Sequence, residues 1–272
     1  MPTFATPAPI TATVTVAGAQ VRVAASDRTD TVVLVEPIDK ASQSDVKVAS
    51  KTKVDFADGQ LTVKTTVSGD KNGSVAITIG LPADSGLVAY LAHSRVHADG
   101  PLGECELHMA SGQARLDRIN ALQADISAGE VTIGHIAGRA NVESRAGQIR
   151  IGHASAGLEL RNASGGFDID RADGSVTATT ADGAIRIGRL VRGQAELMSG
   201  SGNIEIGIGE GTAAQVDAHS ERGSVRNSVP AQEDPGTPGN LGNLDNLDNL
   251  DSKVAVHART RHGDIIIQRA AG

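Results

Sequence analysis

The chain has 272 residues, 32 Asp plus Glu against 25 Lys plus Arg for a formal net charge of −7, 32 Gly, one Cys and no Trp. Phe4, Phe56, Phe167 and Tyr90 are its whole aromatic set, too few for base-stacking platforms or an aromatic sugar cleft, and the negative charge opposes a phosphate backbone, so no nucleic-acid partner is expected. The lone Cys105 excludes an intramolecular disulfide framework and a Cys-rich zinc site and reads as a small buried thiol. The stretch before Ile10 carries neither the basic nor the apolar region of a leader, and no run approaches 18 apolar residues. The expectation is a cytoplasmic protein without membrane insertion, found at the cell surface only if exported by another route.

From residue 10 to about 81 apolar and polar residues alternate: Val14 and Val16, Val21 and Val23, Val33 and Val35, Val46 and Val48, Val54 and Phe56, Leu61 and Val63, Ile77 and Ile79. Period two predicts half-buried strands, and the region shows no helical stripe. Asp58-Gly59 between Phe56 and Leu61 signals a hairpin, and Ser68-Gly69-Asp70-Lys71-Asn72-Gly73 a turn. Leu81-Pro82 closes the segment.

Beyond Pro82 one phrase recurs, as in Ala128-Gly129-Glu130-Val131-Thr132-Ile133-Gly134 and Ala146-Gly147-Gln148-Ile149-Arg150-Ile151-Gly152. Val131, Ile149, Phe167, Ile185 and Ile204 follow one another at 18, 18, 18 and 19 residues, and a second apolar pair, such as Leu158 and Leu160 or Val176 and Ala178, sits about nine residues after each first pair. Each repeat is thus two short strands and two turns. A fixed period near 18 without helical patterning predicts a β-solenoid whose rungs stack about 4.8 Å apart. Gly112, Gly129, Gly147, Gly165, Gly183, Gly202, Gly223 and Gly263 mark corners that need positive φ. The outward Arg150, Asp168, Arg186 and Glu205 alternate in sign, which stabilises neighbouring rungs.

The repeat loosens after Gly223-Ser224-Val225, and the Pro-, Gly- and Asp-rich stretch at about 228–252 reads as a disordered acidic insertion. Val254, Val256, Gly263, Ile265 and Ile267 resume the pattern and read as the final rung. The organisation expected is a β-rich segment, 1–84, capping a solenoid, 85–272.

Little in the chain points to chemistry. His135 and His153 fall one repeat apart, where a shared metal would sit, but Arg171 and Arg189 replace them in the following repeats and no carboxylate is placed as a third ligand. Gly165-Gly166-Phe167-Asp168-Ile169-Asp170 resembles a single unit of a calcium-binding roll, a mechanism that needs tandem copies. Gly207-Ile208-Gly209-Glu210-Gly211 lacks the Lys-Ser/Thr of a phosphate cradle and reads as a corner. Asp168 and Asp170 are the best residues for a polysaccharide-acting β-helix enzyme. No catalytic, cofactor-binding or metal-binding residue is assigned, and no cofactor is expected.

Ala25-Ser26-Asp27-Arg28-Thr29-Asp30-Thr31-Val32-Val33, Val54-Asp55-Phe56-Ala57-Asp58-Gly59-Gln60-Leu61-Thr62-Val63, the tandem glycine phrases, Gly209-Glu210-Gly211-Thr212-Ala213-Ala214 and Gly223-Ser224-Val225-Arg226-Asn227-Ser228 together resemble the actinobacterial branch of the bacterial "putative adhesin" family, a β-strand-repeat domain of unknown function. The likeness spans about 8–269 apart from the acidic insertion. It implies an all-β, right-handed, single-stranded parallel β-helix or β-solenoid and a non-enzymatic, adhesin-like binding module with no catalytic residues to carry over. The expected partner is a protein or glycan. The alternatives are an intracellular scaffold that self-associates through solenoid ends, since an uncapped end is an open strand edge, and the polysaccharide-acting enzyme.

Overall fold

The computed structural model describes residues 2–65, 73–229 and 253–270. Positions 68–72 of the expected turn and nearly all of the acidic insertion lie outside the described residues. By its internal contacts the chain divides into two units, Met1–Arg150 and Ile151–Gly272.

In the first unit the alternating stretch folds as strands β1 (Thr3–Ala5), β2 (Thr11–Ala17), β3 (Ala19–Ser26) and β4 (Asp30–Pro37). Helix α1 (Gln43–Lys51) follows, then β5 (Lys53–Ala57), β6 (Gln60–Lys64), β7 (Val75–Pro82), β8 (Gly86–Ala92), β9 (Ser94–Met109) and β10 (Gly112–Ile136), and the division between units falls within β11 (Ala140–Ala154). The inward members Val14, Val16, Val21 and Val23 are buried, as period two requires. Asp58-Gly59 makes the expected hairpin, with Phe56 opposite Leu61 and positive φ at both turn residues, the signature of a type I′ turn.

Rungs of the first unit do not stack in chain order. β2 lies between β6 and β8 and runs parallel to both, while β3 lies in the same way between β7 and β9. The outer sides of β6 and β7 are then covered by antiparallel neighbours, β5 and β4, with β1 along β4. Phe4 and Phe56 stack with ring centres 4.9 Å apart.

One element departs from the sequence reading. Residues 43–51 are helical, although Val46 and Val48 alternate like a strand. Ser42 caps the helix by accepting from the Asp45 N–H, and the Asp45 carboxylate accepts from the backbone N–H groups of Asp39 and Ser74. The missed signal is Ser42-x-x-Asp45, a capping pattern that overrides alternation carried by only two valines.

The second unit comprises β12 (Leu158–Ser164), β13 (Phe167–Ala172), β14 (Val176–Asp182), β15 (Ile185–Leu190), β16 (Gly193–Ser201), β17 (Ile204–Ile208), β18 (Ala213–Arg222), β19 (Val225–Asn227), β20 (Lys253–His262) and β21 (Ile265–Arg269). Pairing is parallel and follows the repeat: Phe167 faces Ile185, which faces Ile204, and Leu158 faces Val176, which faces Ala195. Phe167, Ile185, Ile204 and Ile265 form one buried ladder, each contributing about 1.5–3 kcal/mol by leaving water.

The expected last rung is not last in space. β20 pairs with β16 on one side and β18 on the other, and β21 pairs likewise with β17 and β19. Residues 253–269 are therefore inserted between 193–208 and 213–227. A parallel rung is compatible with either position, because both present the same alternating face, so the pattern of Val254 and Val256 does not encode its place.

At the corners the chain approaches itself closely. Seven of the eight expected corner glycines have φ between +130° and +156°, Gly223 being the exception. At Gly147, with φ +146°, an added Cβ would collide with the Gly129 carbonyl. In the second unit a side-chain hydroxyl three residues before each of four corner glycines donates to the carbonyl of the neighbouring corner: Thr180 to Gly165 at 3.0 Å, Ser199 to Gly183 at 3.0 Å, Thr260 to Gly202 at 3.1 Å and Ser220 to Gly263 at 2.8 Å.

Gly147→Ala and Gly59→Ala separate backbone collision from conformational strain, because an added Cβ at Gly59 meets nothing within 4 Å. Chemical denaturation is expected to show a loss of about 1–2 kcal/mol for Gly59→Ala, from positive φ alone, and a larger loss for Gly147→Ala. Equal losses would contradict the close corner approach.

Candidate functional site

Sequence-derived candidates in the second unit are committed to ion pairs on the outward face. Asp168 faces Arg186, which faces Glu205. The Arg186 guanidinium donates to Asp168 at 2.6 Å and to Asp170 at 3.4 Å, so the two carboxylates proposed for acid–base work are held by one cation. Arg171 and His153 converge on Asp173, at 2.8 and 2.9 Å. Burial acts to raise the Asp173 carboxyl, but the hydrogen bonds and charges of Arg171 and His153 outweigh it and hold the group below the usual carboxylate range.

His153 is thus engaged by Asp173, while His135 belongs to a shallow groove of the first unit with Arg118 and Asn120. Among the described residues no three His, Cys, Asp or Glu side chains are grouped to hold a metal ion. The glycine-rich 207–211 stretch ends β17 and turns at Gly211, φ +73°, where Arg269 donates to the carbonyls of Gly209 and Thr212. Cys105 is buried, and burial pushes its thiol up to about 12, so it is no nucleophile at neutral pH. The acidic 245–251 stretch lies outside the described residues.

A different cluster of the first unit was not singled out from the sequence. β8 and β9 place Tyr90 directly opposite His108, and their rings stack with centres 4.7 Å apart and planes 7° from parallel. His108 Nε2 lies 2.5 Å from Glu106 Oε1 and its Nδ1 lies 3.3 Å from Asp125 Oδ2, so two carboxylates fix the imidazole plane. Tyr90 is 42% exposed. It stands in a shallow groove of about 690 Å³ whose walls include Lys64, Thr65, Met109 and Ser127. The signal was the repeat itself, since 18 residues separate Tyr90 from His108. A composition count of aromatics misses a platform built from one tyrosine and one histidine.

Parallel rungs with inward aliphatic ladders and outward polar columns define an all-β, solenoid-like repeat protein. The profile of the Toastrack DUF4097 family matches residues 12–268, and the chain belongs to this family of bacterial "putative adhesin" proteins. Among solved structures, a putative adhesin from Bacteroides fragilis NCTC 9343 is similar at 13% identity over 98% of this chain and 95% of that one, with a TM-score of 0.49. One from Parabacteroides distasonis ATCC 8503 is similar at 12% identity over 98% and 95% of the two chains, with a TM-score of 0.45. No curated protein matches the chain. No helix of the described residues is long and apolar enough to cross a membrane.

The ionised Asp173 stabilises the fold above the unfolded carboxylate pKa of about 3.9, and the contribution is lost as pH falls through the lower folded value. Asp173→Asn is expected to cost about 1 kcal/mol near pH 7, allowing for solvent screening. Thermal melts of both proteins should converge as the pH is lowered through the carboxylate range; a constant gap would show that the charge of Asp173 contributes nothing.

Proposed function

We propose that the chain is a non-enzymatic, adhesin-like module that binds a protein or glycan through its outward side chains. On this reading the repeats form one single-stranded parallel β-helix of about 18 residues per rung, with residues 1–84 as its cap and 85–272 as its solenoid. The observation that carries the proposal is the exposed Tyr90 stacked on His108 in its groove. A rigid aromatic with a polar tip, braced by a neighbouring ring, is the type of residue that anchors interfaces. The carboxylates best placed for catalysis, by contrast, are neutralised by Arg186.

Binding of the purified chain to immobilised extracellular-matrix proteins and glycans tests this. Tyr90→Ala should lower the affinity for whatever is bound by about tenfold, with Met198→Ala, another exposed apolar side chain, as a control that leaves it unchanged. Cleavage of a polysaccharide at a substantial rate would contradict the non-enzymatic reading.

One observation favours a second reading, an intracellular self-assembling scaffold. Among the described residues β18 and β19 pair only on their β20 and β21 sides, and Val225 is 43% exposed. Open strand edges join copies of a chain. Growth of the scattering mass with concentration supports this scaffold, and a strict monomer rejects it. Protease digestion of the tagged protein on intact cells separates a surface location from the cytoplasm.

A further inference from the structure

Outward charges that face each other across Asp168, Arg186 and Glu205 alternate in sign. One face of the first unit breaks that rule. Arg22, His97 and Arg115 stand directly opposite one another across β3, β9 and β10, and Arg95, two residues before His97 on the same face of β9, lies between Gln20 and Gln113. This column holds basic residue types with no acidic one between them, so the alternation in sign that steadies neighbouring rungs is missing here. Asp99 offsets part of it, 3.2 Å from Arg22 and 2.7 Å from His97. Arg95 and Arg115 make no ion pair among the described residues.

The three arginines and His97 line a groove of about 580 Å³, whose other polar walls include Gln20, Gln113, Thr78 and Thr132. Among the described residues its one lining carboxylate, Glu130, is bonded to Arg150. We infer that the groove is a binding site for an anionic glycan, a chain bearing carboxylate or sulfate groups between free hydroxyls. The inference rests on the reading of the chain as a binding module and names one class of ligand for it.

Three observations select that class. Guanidinium groups without a carboxylate partner suit the planar, bidentate recognition of carboxylate and sulfate. Glutamine amides and threonine hydroxyls both donate and accept, which matches sugar hydroxyls flanking the anionic groups. The backbone beneath is already paired on both sides, β3 with β7 and β9, and β9 with β3 and β10, so a peptide cannot add as a strand and only side chains read the ligand. Among the described residues the groove is lined by no Phe, Tyr or Trp on which a nucleobase would stack. On a chain of net charge −7 the attraction is local and salt-sensitive.

Fluorescence anisotropy with the full chain tests the site, using a labelled oligogalacturonate and a labelled sulfated oligosaccharide as probes. A neutral dextran oligosaccharide, an oligothymidylate and an oligoglutamate serve as comparators. At least one charged glycan should bind, with the comparators weaker by about tenfold or more. Arg95→Gln combined with Arg115→Gln should lower that affinity by about tenfold or more, whereas Arg186→Gln, at a paired arginine, should change it by less than about twofold. The double variant should melt at the same temperature as the unmodified chain, because neither arginine holds an ion pair among the described residues; this separates lost binding from lost folding. Equal binding of oligothymidylate or oligoglutamate overturns the glycan assignment, as does failure of every charged glycan to bind. Binding that survives the double variant overturns this groove but leaves the module reading standing, and that reading fails separately if the wider panel of proteins and glycans finds no partner.

Discussion

The contact on which the rest of the structure depends is the meeting of one corner with the next. At Gly165, Gly183, Gly202 and Gly263 a backbone carbonyl lies where a neighbouring rung's Cβ would otherwise project, and a hydroxyl of that rung donates to it. Glycine supplies both the positive φ and the missing atom, and Thr180, Ser199, Thr260 and Ser220 satisfy a carbonyl that the turn would leave unpaired. With the corners in register, the strands between them pair in parallel. Every second side chain is then delivered to the interior, and the others to outward columns.

That frame explains which features were legible in the sequence. The aliphatic ladder through Phe167, Ile185 and Ile204 could be counted because two periods, two and 18, reinforce each other. The hairpin at Asp58-Gly59 was equally plain, since few other sequences accept positive φ at both positions. Helix α1 was missed because its hydrophobic stripe is too short to outweigh Val46 and Val48, and its determinants are polar ones, the Ser42 cap and the buried Asp45 carboxylate. The placement of 253–269 inside the stack was illegible for a different reason. Its side chains fit any rung, and the choice between positions is made by pairing partners far away in sequence.

Outward side chains carry no folding period, and this is why the candidate sites were hardest to read. Asp168, Asp170 and His153 attracted attention as chemical residue types, yet each is bonded to Arg186 or Asp173, and these pairs account for them as parts of the ladder. Tyr90 with His108, and Arg95 with Arg115, became visible only once the register placed them. The first pair stacks two rings, and the second makes no ion pair among the described residues.

Amide hydrogen exchange along β18 and β20 tests the rung order and the paired corners most directly. β20 is flanked by β16 and β18, whereas β18 has β20 alone among the described residues. The account predicts slow exchange throughout Val254–Thr260 and alternating fast and slow exchange through Ala214–Ser220, where every second N–H lacks a strand partner. Fast exchange in β20 with uniform protection in β18 would place 253–269 at the outside of the stack and contradict the rung order described above.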